Sequence, residues 1–290
     1  MAKTHAIYSQ ITTLRERYLK SKQDNEGVLS LISEAEIPEQ VYNSNAIENS
    51  TLSLSETEKI LLQIDLDRFI TERELFETKN LARVVSYIET LSKEKELTLE
   101  SILLLHRMLM SNINDEIAGR FREKNEFVRV GTYIAPNPKE VKNLLENMLI
   151  HYNASINENI IKKLARFHLT FEHIHPFLDG NGRIGRVLNN YILLREGFVP
   201  INIKFIDREK YYEAFKEFDE KDKTEIMELL IGKALTMSYH KRLAYLEHKK
   251  ILTLSEYSKQ SKISHSNLLN KANRQTIEAF MEKGIWKIGL

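Results

Sequence analysis

His175-Pro176-Phe177-Leu178-Asp179-Gly180-Asn181-Gly182-Arg183-Ile184-Gly185-Arg186 is the stretch on which the reading of this chain turns. It lies between two segments with helical apolar spacing. Leu164, Phe167, Leu169 and Phe171 fall within Ile160 to Phe171, and a second periodic run covers Val187 to Leu194 before Gly197 and Pro200. The stretch is therefore a loop that opens into a helix near Arg183. Gly180 and Gly182 allow backbone conformations and close approaches closed to other residues. Successive amides in such a loop, running into a helix N-terminus, make an anion site. Arg183 and Arg186, three apart on the first turn, offer two guanidinium forks to phosphate oxygens. Asp179 suits Mg²⁺, which favours a carboxylate together with phosphate oxygens. His175 is a base whose ordinary pKa lies close to neutrality. Base, metal ligand, anion cradle and charge clamp in one short loop fit nucleophilic attack at a phosphate.

Other readings of the same letters are weaker. Gly180-x-Gly182-x-x-Gly185 spells a dinucleotide fingerprint, but that motif needs a preceding strand and an acid about 20 residues on; here a helix precedes it. No Gly-Lys-Ser/Thr occurs, so there is no P-loop. His168, His173 and His175 lack zinc spacing, and Leu169 to Phe171 between them reads as core. A bare turn has no need of two flanking arginines and a His-Pro-Phe.

The surrounding chain reads as mostly α-helical. It has 290 residues with only 10 Gly and 5 Pro, hence few helix breakers. Apolar residues recur at three and four from Leu75 to Leu91, from Ile102 to Leu109 (a run that includes His106), and from Val141 to Leu149 behind Pro138. Glu209–Asp219 and Glu225–Leu246 are further helices. The first 40 residues also read as helix, with Tyr8, Leu14, Tyr18, Leu29 and Ile32 as core contacts. Phe127 to Ile134 breaks the pattern: β-branched, aromatic and roughly alternating, it reads as a short hairpin or flap. Lys+Arg 42 against Asp+Glu 41 excludes nucleic-acid binding by bulk charge, though not by a local patch. The absence of Cys removes disulfides, thiolate metal sites and cysteine nucleophiles. No signal peptide and no apolar run of membrane-spanning length is read, so a cytoplasmic protein without membrane partners is expected.

The loop resembles the signature of the Fic-domain family, His-x-Phe-x-(Asp/Glu)-Gly-Asn-Gly-Arg-x-x-Arg, and 175–186 match every fixed position. His168-x-x-Phe171-Glu172-x-Ile174 resembles the helix leading into it. Gly119-Arg120-Phe121-Arg122 and residues 127–138 resemble the family's flap region, and the likeness extends over about 40–240. It implies a Fic-type helical bundle with a short β-hairpin flap, and adenylylation: ATP split at its α-phosphate, AMP moved to a Ser, Thr or Tyr hydroxyl of a target protein or of the chain itself. By that resemblance His175 is the general base and Asp179 holds Mg²⁺. Gly180, Asn181 and Gly182 hold the phosphates, Arg183 and Arg186 clamp the β/γ end, and Phe177 anchors the loop. The flap (Val130, Gly131, Thr132, Tyr133) would position a target as an added strand; an ordinary surface hairpin fits the same residues.

Ser44-Asn45-Ala46-Ile47-Glu48-Asn49 resembles the family's inhibitory motif, (Ser/Thr)-x-x-x-Glu-(Gly/Asn). Ser44 and Glu48 share a helical face, and Asn49 suits the left-handed stop of a helix. The resemblance implies that Glu48 pairs with Arg186 and leaves ATP in an unproductive pose. The same carboxylate could instead serve AMP removal. The expected organisation is a helical region over 1–95 with the inhibitory helix at about 40–50, a catalytic core over 96–248, and a small module over 250–290. That module resembles a winged helix-turn-helix, with two short helices over Leu252 to Leu269. Lys259, Lys262, Lys271, Arg274, Lys283 and Lys287 outnumber Glu256, Glu278 and Glu282, which suits DNA phosphates. Ser266, Asn267, Asn270 and Lys271 are the candidate DNA contacts. A packing or dimerisation module fits equally, and a homodimer is left open. A DNA-binding regulator with a nucleotide-sensing domain is the second class of function.

Overall fold

With so few breakers the chain is free to coil, and helices account for most of it. The structure, a computed structural model, describes residues 2–130 and 133–290. Its helices are α1 (Ala2–Ser21), α2 (Glu26–Ile47), α3 (Leu54–Leu61), α4 (Glu72–Glu94), α5 (Leu99–Met110), α6 (Val141–Ala154), α7 (Ile160–Ile174), α8 (Asn181–Arg195), α9 (Arg208–Lys221), α10 (Glu225–Leu246), α11 (Leu254–Ser261) and α12 (His265–Asn273). The strands are β1 (Arg129–Val130), β2 (Tyr133–Ile134), β3 (Ile251–Thr253), β4 (Ala279–Glu282) and β5 (Ile285–Gly289). Local chemistry sets several helix starts. Ser53 with Glu56 and Thr71 with Glu74 form capping boxes at α3 and α4, and the Asn159 side chain accepts the Ile161 amide at α7. Among the described residues no helix is long and apolar enough to cross a membrane.

The centre of the fold is α8. Residues from Asn181 to Leu193 are buried on nearly every face, with α2, α4, α5 and α7 packed around them. A helix buried all round normally carries apolar residues; this one also carries Arg183, Arg186, Asn189 and Asn190. Buried polar groups need partners. Asn190 finds them in the chain after Gly197, donating to the Ile201 carbonyl at 2.9 Å and accepting the Ile201 amide at 2.8 Å. The two arginines find theirs in the site. Leu14, Tyr18 and Ile32 lie in the core, with Tyr8 and Leu29 partly buried against it.

The expected inhibitory segment at 40–50 is the last turns of a much longer helix. α2 runs without interruption through Pro38 and ends just before Glu48; Asn49 follows with φ 69°. Buried ion pairs fix this helix. Glu39 meets Lys204 at 2.7 Å, and Glu36 meets Arg242 at 2.8 Å and Lys241 at 3.2 Å. Glu36→Ala leaves Arg242 without its carboxylate and weakens Lys241's pairing in the interior. We expect a loss of about 3–5 kcal/mol, measured by urea unfolding.

The region after α10 differs from expectation at its start. Ile251-Leu252-Thr253 is a strand rather than the beginning of a helix, because Thr253 forms a capping box with Glu256 that starts α11 only at Leu254. β3, β5 and β4 make one antiparallel sheet in that order, with Leu252 opposite Ile288 and Phe280 opposite Lys287. Leu254, Leu268, Ala272, Ala279 and Ile288 form a small core of their own. Phe280 packs on Met237 and Ala244 of α10. Ser266, Asn267 and Asn270 are exposed on α12 and Lys271 is half-buried. Two of the basic residues counted towards DNA are already paired, Lys283 with Glu58 at 2.8 Å and Lys287 with Glu282 at 2.5 Å.

Candidate active site

The loop is shaped by its own sequence. α7 stops at His175, which adopts the left-handed conformation (φ 49°, ψ 61°), a state that is costly for a residue with a Cβ. Arg122 holds it there. Its buried guanidinium donates to the carbonyls of His175 at 2.8 Å, Ile174 at 3.2 Å, Glu126 at 3.0 Å and Pro136 at 3.0 Å. The base of the flap is thereby pinned to the end of α7. Phe177 is buried and stacked on His106, with ring centroids 3.6 Å apart. His106 accepts the Gly119 amide at Nδ1 (3.0 Å), which leaves Nε2 to donate to the Asp179 carbonyl (3.0 Å). The Asn181 side chain is committed to the loop itself: it accepts the Phe177 amide and donates to the Phe177 carbonyl, both at 2.8 Å. What Asn181 can offer a phosphate is therefore its backbone.

Gly180 begins α8 at φ 81°. At Gly182 the constraint is space, since an added Cβ would lie 2.1 Å from Glu48 Oε1. The Glu48 carboxylate thus sits over the anion cradle. It accepts from Arg186 Nη2 at 2.9 Å. Ser44 takes the rest of that fork, its hydroxyl accepting from Nε at 2.9 Å and its carbonyl from Nη2 at 2.8 Å. Arg186 Nη1 donates to the Tyr211 hydroxyl at 3.1 Å, which lies 2.8 Å from His168 Nε2. Arg183 pairs with Asp179 Oδ1 and with Glu77, both at 3.1 Å. Arg73 reaches Asp179 Oδ2 at 2.5 Å. A cavity of about 200 Å³ opens among these groups, lined by Asn45, Glu48, Arg73, Glu77, His175, Asp179, Gly182 and Arg183 among others.

Burial pushes the His175 imidazole down to about 4, the bond from its ring to the Glu172 carbonyl opposing this in part. With Nδ1 3.3 Å from that carbonyl, the ring is neutral at physiological pH and Nε2 is free to take a proton. Burial also pushes the Asp179 carboxyl up, but the guanidinium groups of Arg183 and Arg73 outweigh it and hold the group below the usual carboxylate range. Beneath the clamp, burial and the nearby Glu48 raise Glu172 to about 8, against the pull of Arg186.

These shifts give a pH dependence. Burial, helped by Arg186, lowers His168 to about 3. The stability it contributes is full above its unfolded value of about 6.5 and is lost as pH falls from there towards 3. Glu172 has the opposite sign. Its contribution is full below about 4.3 and is lost as pH rises towards 8. Above pH 6.5 only the Glu172 slope remains of the two. We expect the protein to lose roughly 2 kcal/mol between pH 6.5 and 8, read as a falling urea midpoint, and Glu172→Gln to remove that decline.

The donor set fits Mg²⁺ in one particular way. Among the described residues no group of three or more His, Cys, Asp or Glu could hold a metal. Asp179 supplies a single carboxylate, oriented by the Gly180 amide at 2.6 Å. Mg²⁺ is commonly held by one or two carboxylates together with substrate phosphates, so a metal arriving with a nucleotide fits here.

The structure thus brings His175, Asp179, Gly180, Asn181, Gly182, Arg183, Arg186, Ser44 and Glu48 together. The flap strands pair Val130 with Tyr133; Gly131 and Thr132 lie outside the described residues. The Tyr133 hydroxyl is 2.9 Å from His173 Nε2, and His173 Nδ1 is 2.7 Å from Asp219. Ser266, Asn267, Asn270 and Lys271 sit on α12, and none of them lines the cavity. Sequence reading missed Arg73, Glu77, His106 and Tyr211, and took Arg122 only as part of a flap-like string.

Residues 96–193 match the Fic/DOC family. A protein adenylyltransferase Fic of Drosophila willistoni is 32% identical over 228 residues, covering 73% of this chain and 45% of that protein. The chain thus spans less than half the length of the curated relatives it matches. A Fic domain containing signaling protein from Bacteroides thetaiotaomicron shares the fold with a TM-score of 0.73 at 20% identity, over 84% of this chain and 99% of that one. A Fic family protein from Desulfovibrio desulfuricans G20 does so with a TM-score of 0.67 at 19% identity, over 98% of this chain and 96% of that one. With its signature loop built as described, the domain over residues 96–193 belongs to the Fic/DOC family.

Proposed function

We propose that this chain is a self-inhibited protein adenylyltransferase. Its substrates are ATP and a Ser, Thr or Tyr hydroxyl of a target protein, with the chain itself as one target. The observation that carries the reading is the meeting of His175, the Gly180–Gly182 cradle and buried Arg183 around one cavity, with Glu48 on its wall paired to buried Arg186.

The hydroxyl oxygen attacks the α-phosphorus of ATP, and the bond from that phosphorus to the bridging oxygen of the β-phosphate breaks. Pyrophosphate leaves with the bond's electron pair, and the hydroxyl proton passes to His175 Nε2. The backbone amides at the start of α8 face the phosphates, where donors set in advance stabilise developing charge. Arg183 and Arg186 take the negative charge of the departing end. Asp179 would hold Mg²⁺, which supplies charge neutralisation across the phosphates. The relatives named protein adenylyltransferase Fic support the AMP-transfer class. In the braked form Arg186 serves Ser44 and Glu48 instead of phosphate.

The test is which phosphorus travels. Glu48→Gly protein incubated with Mg²⁺ and ATP labelled at the α-position should acquire label and release pyrophosphate in equal amount. Label arriving from the γ-position instead would make the chain a kinase and overturn the reading.

A second reaction is favoured by one observation: Glu48 lines the same cavity as His175. A carboxylate there can orient water against the phosphorus of an AMP-modified residue, releasing AMP and returning a proton to the residue's oxygen. Self-modified Glu48→Gly protein offered to the wild type should lose its AMP; retention of the label excludes this use.

A further inference from the structure

Arg183 is not the only arginine on the cavity wall. Arg73, in the first turn of α4, places Nη2 2.5 Å from Asp179 Oδ2 and Nε 3.0 Å from Glu77 Oε1. Glu77 meets Arg183 at 3.1 Å, and Arg183 meets Asp179 at 3.1 Å. The four side chains close a ring of alternating charge: Arg73, Asp179, Arg183, Glu77. Its members differ in freedom. The Arg183 side chain is 4% exposed, that of Arg73 57%. An exposed Arg–carboxylate pair contributes little to stability, so Arg73 can leave Asp179 at little cost, while the buried Arg183 is held in place.

Two further polar atoms, in residues of the pocket wall, have no partner in the protein. Arg183 Nε and Asn45 Oδ1 are both buried and unbonded, and both residues line the cavity. Buried polar atoms are rarely left so, which marks this wall as short of hydrogen-bonding partners. The charge count agrees. Arg73, Arg183 and Arg186 face Glu48, Glu77 and Asp179, so the braked pocket has no net charge. When Glu48 withdraws, one positive charge is in excess, and Arg73 is the guanidinium free to move with it. Should the Asp179 carboxylate be taken by a cation, like charge repels Arg73 from it, while Glu77 keeps the guanidinium at the mouth.

We infer that Arg73 is a third phosphate-binding arginine, taking the part of the nucleotide beyond the α-phosphate; the inference rests on the nucleotide reading above. Calorimetric titration of Glu48→Gly and Glu48→Gly/Arg73→Gln with ATP, pyrophosphate and AMP, each with Mg²⁺, tests it. The expected result is that Arg73→Gln weakens ATP and pyrophosphate about tenfold, some 1.4 kcal/mol, and leaves AMP unchanged. Equal ATP affinity in the two proteins, or tighter binding once Arg73 no longer competes for Asp179, overturns the inference. An equal loss for ATP and AMP also overturns it. Failure of Glu48→Gly itself to bind ATP removes the nucleotide reading and this inference with it. Should Arg73→Gln unfold, Arg73→Lys keeps the charge without the fork and is expected to bind ATP with intermediate affinity; full affinity for that variant would refute a fork-specific contact.

Discussion

Replacing His175 by alanine in the Glu48→Gly protein lowers AMP transfer by about 10²–10⁴-fold, the usual contribution of a positioned general base. The loss is expected in kcat, with little change in KM for ATP, because no phosphate contact is assigned to the imidazole. Nor should the fold suffer. The main chain ties residue 175 into the structure, its amide donating to the Phe171 carbonyl at 3.0 Å and its carbonyl held by Arg122 at 2.8 Å; alanine keeps both and loses only the ring's 3.3 Å bond to the Glu172 carbonyl. The imidazole is neutral above its lowered value of about 4, so it is ready to accept a proton throughout the physiological range. A small effect of His175→Ala on initial rate would mean that the hydroxyl loses its proton to another group.

Glu48→Gly raises AMP transfer by about 10–100-fold, equivalent to roughly 1.4–2.8 kcal/mol. Two effects act together. The substitution frees Arg186 Nη2 from a carboxylate 2.9 Å away, a charge-assisted bond worth about 1.5–3 kcal/mol when buried. The Glu48 side chain is 37% exposed, so solvent screening trims that figure. The substitution also removes a negative charge from above Gly182, where a phosphate must sit. Ser44 still holds Arg186 through its hydroxyl and carbonyl, so the guanidinium remains in place and changes only one partner. Initial rates at saturating ATP, compared at matched thermal stability, measure the effect.

Much of the site was legible because its parts are neighbours in sequence. His175 to Arg186 spans one loop and one helical turn, and the glycines, arginines and carboxylate carry the chemistry in their spacing. Ser44 and Glu48 were legible only beside that loop; alone they read as an ordinary helix end. The residues that hold the loop were not legible. His106 lies on the apolar face of a helix and reads as core, yet its two ring nitrogens join Gly119 to Asp179. Arg73 and Glu77 stand four apart at the start of a helix, with nothing in their spacing to tie them to the loop, and only folding carries them to Asp179 and Arg183. Tyr211 falls within a stretch read only as a helix, and its hydroxyl meets Arg186 and His168 only in the fold. Each acts across a separation that periodicity does not encode. The strand β3 escaped notice for a similar reason: three residues beside a capped helix become a strand only through their pairing with β5, more than thirty positions later.

The measurement that bears most directly on base and brake together is label transfer from α-labelled ATP by three proteins side by side: wild type, Glu48→Gly, and Glu48→Gly/His175→Ala. The expected result is strong labelling by Glu48→Gly, weak labelling by the wild type and essentially none by the double variant. Equal labelling by wild type and Glu48→Gly, with both folded, would contradict the proposed brake, and no label on any of the three would contradict adenylylation itself.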